Sequence, residues 1–362
     1  MTISPIAADT MHIDGYIAEA RPDGMTQEEA SLWGERSNPE ALTRWEDQLR
    51  VFRNWTEGKA RVTQHEISDM YNRWGPFPFV LADDGRALEL NRVLRRDTSP
   101  FLVRDLANGI IAQKVPLGQR PCASDFCGSV WSAFTEEGRI VRFDLASGQC
   151  VGQIESNPLH FLPSQWTQVT IHSNGRESAV WKRTPADQSG GVAAAWSTSS
   201  GALTHDIQTK EKEEVLSLRT TTNFFVYQTK AGAVRFIDKF DPTASAQQIE
   251  SSCLPFDGFG PYIVCPNFDG RIKVFEDGIG FLTPIFELST FPEPRIKIYK
   301  YWLCIEEKDA FAIWNLRTRN LVARVKKLPG MPQRCLDFNL NAAALFVRES
   351  LVRGVRYDFN HE

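Results

Sequence analysis

The sequence predicts an all-β protein: a seven-bladed β-propeller with a short N-terminal helical segment. The first observation behind this is the stretch 129–155, SVWSAFTEEGRIVRFDLASGQCVGQIE. Ile140 and Arg142 alternate with Val141 and Phe143, the period of a strand with two unlike faces. Gly138 and Gly148 close the turns on either side, where a Cβ would be strained. A meander of this size cannot bury its own faces and needs like units stacked beside it. The second observation is recurrence. Phe143, Trp196, Phe236, Phe275, Trp314 and Tyr357 fall at steps of 53, 40, 39, 39 and 43 residues, each in a third strand. That is the repeat length of a four-stranded propeller blade, and with the unit at 101–115 there are seven units. The third observation is that the last unit ends one strand short, at Asp358-Phe359. A sheet with an unpaired edge exposes backbone donors and acceptors, and the strand-like run at 59–67 is the segment expected to fill it.

Taken in order, residues 1–57 read as a lead-in and helical linker, and 58–362 as the propeller. Residues 1–25 hold no period. Thr26 and Glu29 have the spacing of a capping box, opening a short helix through Trp33. Asn38 caps a second helix with Pro39 at its first position. Leu42, Trp45, Leu49 and Phe52 recur at steps of three and four, an apolar stripe on one helix face. That helix is expected to run to Asn54 or Trp55 and to end at Gly58. Beyond it the period becomes that of strands. A hairpin at 79–90 turns about Asp83-Asp84-Gly85, and units follow at 101–115, 129–155, 193–207, 224–249, 262–286, 301–325 and 343–359.

A chain of 362 residues, 42% hydrophobic and 24% charged, suits a soluble repeat ring. Its net charge of -4 and pI near 6.0 argue against nucleic acid as the partner. No apolar run approaches the roughly 20 residues that cross a bilayer, and the start, MTISPIAADTMHIDGY, lacks the pattern of a signal peptide. Seven cysteines without paired spacing read as thiols in a reducing compartment, cytoplasm or nucleus.

The centres VRDLANG, RFDLASG and AIWNLRT resemble the third-strand signature of WD-repeat propellers, an aromatic-Asp pair before a turn. The resemblance covers residues 60–362. It departs at Asn315, where the family has Asp, and no blade carries the family's Gly-His pair, so an Asp-His tetrad is not expected. A second resemblance is narrower. Trp45, Leu49, Asn54-Trp55 and Gly58-Lys59 are similar to the linker that leads into the propeller of F-box/WD-repeat proteins, with Ser31-Leu32-Trp33 upstream where that family ends its F-box helices. A complete F-box, with its opening Leu-Pro motif, is not evident. The resemblance implies a substrate receptor of an SCF-type ubiquitin ligase. Leu42, Trp45, Leu49, Phe52 and Trp55 would then form the linker helix beside the Skp adaptor, and the propeller would hold the target.

One sector stands out for charge. Ten basic and three acidic residues lie between Arg295 and Arg334, in a chain that is negative overall. Lys308, Lys326, Lys327 and Arg334 are the partner-binding candidates, on the face that carries the second-to-third-strand hairpins. They would receive an acidic or phosphorylated peptide through charge-assisted hydrogen bonds; the competing reading is a set of ordinary solvated charges. Trp74, Phe77 and Phe259 are candidate contact aromatics. Cys122 and Cys127 lack the second pair or histidine of a zinc site. His172-Ser173 and His205-Asp206 lack the remaining parts of a catalytic triad. Asp105, Asp144 and Asp358 have no histidine or metal partner to make a site in the central channel. The expectation is a non-catalytic protein-interaction module without cofactor or metal, binding proteins rather than nucleic acid or membrane. The alternatives are a plain scaffold without a ligase link and a propeller enzyme.

Overall fold

The computed structural model describes residues 54, 59–66, 79–81, 86–92, 101–106, 111–115, 121–155, 168–183, 191–208, 214–241, 245–278, 281–341, 344–350 and 353–359. They form seven antiparallel sheets of four strands each. Blade 1 contains Phe79–Leu81, Ala87–Arg92, Phe101–Asp105 and Ile111–Val115; blade 2 contains Pro121–Cys127, Val130–Thr135, Arg139–Asp144 and Gln149–Glu155. Blade 3 runs through Gln168–Ser173, Glu177–Arg183, Val192–Ser197 and Leu203–Gln208. Blade 4 runs through Val215–Thr220, Phe224–Thr229, Val234–Asp238 and Gln247–Glu250. Blade 5 has Asp257–Phe259, Tyr262–Pro266, Arg271–Asp277 and Leu282–Ser289, and blade 6 has Arg295–Tyr299, Trp302–Glu306, Ala310–Asn315 and Asn320–Lys326. Blade 7 is built from both ends of the chain: Asp337–Leu340, Ala344–Arg348 and Arg353–Asp358, then Arg61–Glu66 as its outer strand.

That last pairing closes the ring. Arg61 faces Asp358, Val62 faces Tyr357 and Glu66 faces Arg353 in one unbroken register. The Asn54 side-chain amide adds a hydrogen bond of 2.8 Å to the Phe359 carbonyl. The helix stripe at Leu42, Trp45, Leu49, Phe52 and Trp55 lies outside the described residues, as do Trp74 and Phe77.

The core is distributed between the blades. Apolar clusters join blades 1 and 2 (Leu88 with Trp131), 2 and 3 (Phe134 with Trp196), 3 and 4 (Trp181 with Tyr227), and 4 and 5 (Phe224 with Phe275). Others join blades 5 and 6 (Val264 with Leu303), 6 and 7 (Phe311 with Phe338), and 7 and 1 (Phe346 with Phe79). Of the six third-strand aromatics, Phe143, Trp196, Phe236, Phe275 and Tyr357 are buried. Trp314 is half-buried, on the outer side against Phe286. The departure at Asn315 costs the fold nothing: its side-chain oxygen accepts the Arg317 and Thr318 amides, as the Asp144 carboxylate accepts those of Ala146 and Ser147.

Polar ties accompany the apolar ones. Arg348 of blade 7 and Glu89 of blade 1 form a fully buried pair 2.6 Å apart. Removing one partner strands a desolvated charge, so Glu89→Ala is expected to lower unfolding free energy in urea by about 3–5 kcal/mol. The double variant Glu89→Leu/Arg348→Met is expected to recover most of that loss. Deleting residues 1–66 leaves blade 7 with three strands and an open edge; the expected result is a lower melting temperature and concentration-dependent aggregation on size exclusion.

Candidate functional site

The meander fixes two faces. Turns between first and second strands, and between third and fourth, lie on one, the lower face. The second-to-third hairpins and the connections between blades lie on the other, the upper face. First strands line the axis, and a cavity of about 160 Å³ in the channel is lined from every blade.

One polar layer dominates this channel. Asp125, His172, Arg219, Asp257, Lys297 and Asn339 belong to consecutive blades and occupy one register position. They pair with Ser132, Ala179, Val226, Val264, Cys304 and Phe346, each seven residues further along. Neighbours in the layer are tied together. His172 Nδ1 lies 2.8 Å from Asp125 Oδ2, which also accepts the Ser173 amide at 3.1 Å. Arg219 Nε and Nη2 both lie 3.1 Å from Asp257 Oδ1, and Asp257 Oδ2 accepts the Ile298 amide at 3.2 Å. The Asn339 amide donates to the Phe79 carbonyl at 3.2 Å, linking blade 7 to blade 1. Burial pushes the Asp125 carboxyl up, but the His172 hydrogen bond and the charges of His172 and Arg219 outweigh it and hold the group below its ordinary range. Burial works against the Arg219 guanidinium too, and the Asp257 and Asp125 carboxylates overcome it. Ser173 Oγ bonds to Ser178 Oγ at 2.6 Å, so its hydroxyl is engaged within the strand pair.

A second cavity of about 290 Å³ opens on the upper face where blades 5, 6 and 7 meet. Arg295, Lys297, Arg334, Glu293 and Asp337 line it. Arg295 Nη1 reaches Glu306 at 3.3 Å, and its guanidinium donates to the Cys335 and Leu336 carbonyls while lying over the Phe338 ring. Arg334 pairs with Glu293 at 2.9 Å. Lys297 faces both cavities and forms no ion pair among the described residues.

Of the four sequence candidates, only Arg334 lines this pocket. Lys308, on the upper hairpin of blade 6, and Lys326, at the end of its outer strand, are exposed and make no ion pair among the described residues. Lys327 is not a surface residue. Its side chain is 4% exposed, its ammonium lies 2.9 Å from Glu306 Oε1, and it sits over the Phe311 ring. The buried Glu306 carboxylate requires compensating cations and donors, and Lys327, Arg295 and the Cys335 amide, at 2.7 Å, supply them. Asp144 caps its own turn and Asp358 pairs with Arg356 at 3.0 Å. Neither these two nor Asp105 lines either cavity. Phe259 packs half-buried against Tyr299, with ring centroids 5.7 Å apart. His205 meets Phe240, which is 67% exposed, edge-on at 5.1 Å.

The channel layer was missed in sequence. Its signal is present all the same: each polar residue stands five positions before a second strand, at Asp125 before Val130, His172 before Glu177 and Arg219 before Phe224, and so on to Asn339 before Ala344.

Neither a family model nor a curated protein sequence matches the chain. Solved structures match it in fold. The chain is similar to Raptor of Chaetomium thermophilum, at 12% identity and a TM-score of 0.51, over 90% of this chain and 33% of that one. It is also similar to the β-propeller domain of Cps50 (Swd1) of Myceliophteria thermophila, at 11% identity and a TM-score of 0.50, over 83% and 99%. At such identities the likeness concerns architecture, and the chain is a seven-bladed β-propeller.

Because the folded Asp125 carboxyl is held low, its pairing stabilises the protein at pH values above the unfolded value of about 4. That contribution is lost as pH falls through the lower folded value. Asp125→Asn is therefore expected to cost about 1–3 kcal/mol at neutral pH. The gap between the variants should narrow only below about pH 4 in urea titrations, as the unfolded-state carboxyl starts to protonate.

Proposed function

We propose that this protein is a non-catalytic protein-interaction propeller that acts as a substrate receptor. Its upper face takes an acidic or phosphorylated segment of a target, and its N-terminal linker faces the Skp adaptor of an SCF-type ubiquitin ligase. The observation that carries the target half is the upper-face cavity, where Lys297, which forms no ion pair among the described residues, stands beside Arg295 and Arg334. A compact dianion such as a phosphoryl group suits that chemistry, since charge-assisted hydrogen bonds are strong where the cations are already held in place. Lys308 and Lys326 stand further out on blade 6 and would steer an acidic chain toward the pocket. Lys327 serves from behind, holding Glu306 and the joint of blades 6 and 7.

The ligase half rests on the linker resemblance. Within that motif the Asn54 amide bonds to Phe359, so the end of the linker is fastened where the ring closes. A linker held at that point would fix the angle between adaptor and target. The channel pairs support a non-catalytic reading, because Asp125, Arg219 and Asp257 are occupied in joining blades. Free thiols at Cys150, Cys253, Cys265, Cys304 and Cys335 suit work in the cytoplasm or nucleus.

Two measurements test the reading. Co-purification with the Skp adaptor is expected for the full chain and lost when residues 26–57 are deleted; no adaptor binding at micromolar concentration would reduce the protein to a plain scaffold. Phosphoserine peptides drawn from captured targets are expected to bind about tenfold more weakly to Lys297→Ser/Arg334→Ser, as removal of charge-assisted contacts requires. Equal binding by that variant would place the target elsewhere.

A further inference from the structure

The cations of the basic sector lie on both faces. On the upper face Arg295, Arg324, Lys327 and Arg334 pair with Glu306, Glu307 and Glu293, while Lys297, Lys308 and Lys326 form no ion pair among the described residues. On the lower face Lys300, Arg317 and Arg319 occupy the two turns of blade 6, and none forms an ion pair among the described residues. The two turns are bound to each other by the Leu316 amide, which donates to the Tyr301 carbonyl at 2.8 Å.

Their backbone is unusual. Lys300 has φ 55° and Arg319 has φ 60°, the left-handed region that glycine enters at little cost. In several other blades the corresponding residues are glycines. Gly128 and Gly260 open the first turns of blades 2 and 5, and Gly148 and Gly201 close the second turns of blades 2 and 3, all at positive φ. Blade 6 thus carries a long cation at the two turn positions where blade 2 carries glycine. Strained residues of this kind gather at functional surfaces.

Aromatic rings lie beside these charges. The Lys300 ammonium is 5.2 Å from the Tyr299 ring centroid, and the Arg317 guanidinium is 5.3 Å from that of Tyr301. Phe259 meets Tyr299 from blade 5. The positive field of Arg317 and Arg319 reaches the Tyr262 phenol, opposing burial and Glu276, which push that group up. Phe259 and Tyr299 also line the channel cavity, so the patch continues inward to it.

We infer that the lower face of blade 6 is a second docking site, which takes an acidic segment of a partner protein carrying an aromatic side chain. Carboxylates of the segment meet Lys300, Arg317 and Arg319. The aromatic side chain packs beside Phe259 and Tyr301 at the channel mouth. This site is separate from the phosphate-suited pocket on the opposite face, and its occupant needs no phosphorylation.

The test is a fluorescence-anisotropy titration of the full chain with a labelled peptide, Glu-Asp-Glu-Trp-Glu-Asp-Glu, and with the same peptide bearing Lys at every acidic position. The acidic peptide is expected to bind and the basic one not to. The variant Lys300→Gly/Arg317→Ser/Arg319→Gly is expected to bind at least about tenfold more weakly. Its melting temperature should be unchanged or raised, since glycine suits both turns, so weakened binding cannot come from unfolding. Lys230→Ser/Arg271→Ser, at the upper-face hairpins of blades 4 and 5, is expected to bind the peptide as the parent does. Equal affinity in the lower-face variant, or loss in the upper-face variant instead, overturns the inference. So does tighter binding of a single-stranded oligo-dT than of the peptide at the same patch.

Discussion

The ring holds only because its first described strand is also its last. Each blade covers the apolar face of the next, and a circle of such contacts has no free end. Arg61–Glu66 beside Arg353–Asp358 therefore does more than add one strand to one sheet. It converts seven pairwise contacts into a cyclic set in which none can open without straining the others. Open repeat arrays lose stability at their ends and need capping units; here the cap is the chain's own beginning, held further by Asn54.

Closure also explains where the charged residues went. Seven interfaces converge on the axis, and the first strands have little room for apolar side chains of full size. Polar groups there are desolvated and must be matched. The structure matches these and other buried charges across blade boundaries: Asp125 with His172, Arg219 with Asp257, Lys239 with Glu177, Arg295 with Asp337, and Arg348 with Glu89. Buried pairs of this kind add little net stability beyond what apolar residues of the same shape would provide. Their value in a repeat ring is geometric, because an ion pair tolerates only one mutual position of two otherwise similar sheets.

This accounting sets the limits of what was legible in the chain. Second, third and fourth strands showed themselves through alternation and Gly turns, and the closing strand through the missing edge of the last unit. Apart from the one in the hairpin at 79–90, the first strands did not. Segments such as DGF at 257–259 are too short to show a period, and they place charge toward the axis. The channel layer went unseen with them, although its fixed distance from the following strand was present throughout. The charge excess of blade 6 was legible as a sum but not as a location. Glu306 is a single letter in the sequence, yet in the fold it draws Arg295 and Lys327 inward, and so takes Lys327 from the surface.

The same inward pull has an outward consequence. Blade 6 holds Arg295, Arg324 and Lys327 with its own Glu306 and Glu307, and at the opposite end it carries Lys300, Arg317 and Arg319 on turns that contain no acid between 316 and 320 or at 300–301. These turns rest on second and third strands that are buried along most of their length, Trp302–Glu306 and Ala310–Asn315. The cations are thus held by a rigid base rather than by a mobile loop. A surface held in this way loses little side-chain and backbone freedom when a partner arrives, and affinity follows from that preorganisation more than from area. Fixing the inner layer with buried charge and leaving the outer turns uncompensated are therefore two results of one constraint: seven similar sheets must meet around one axis.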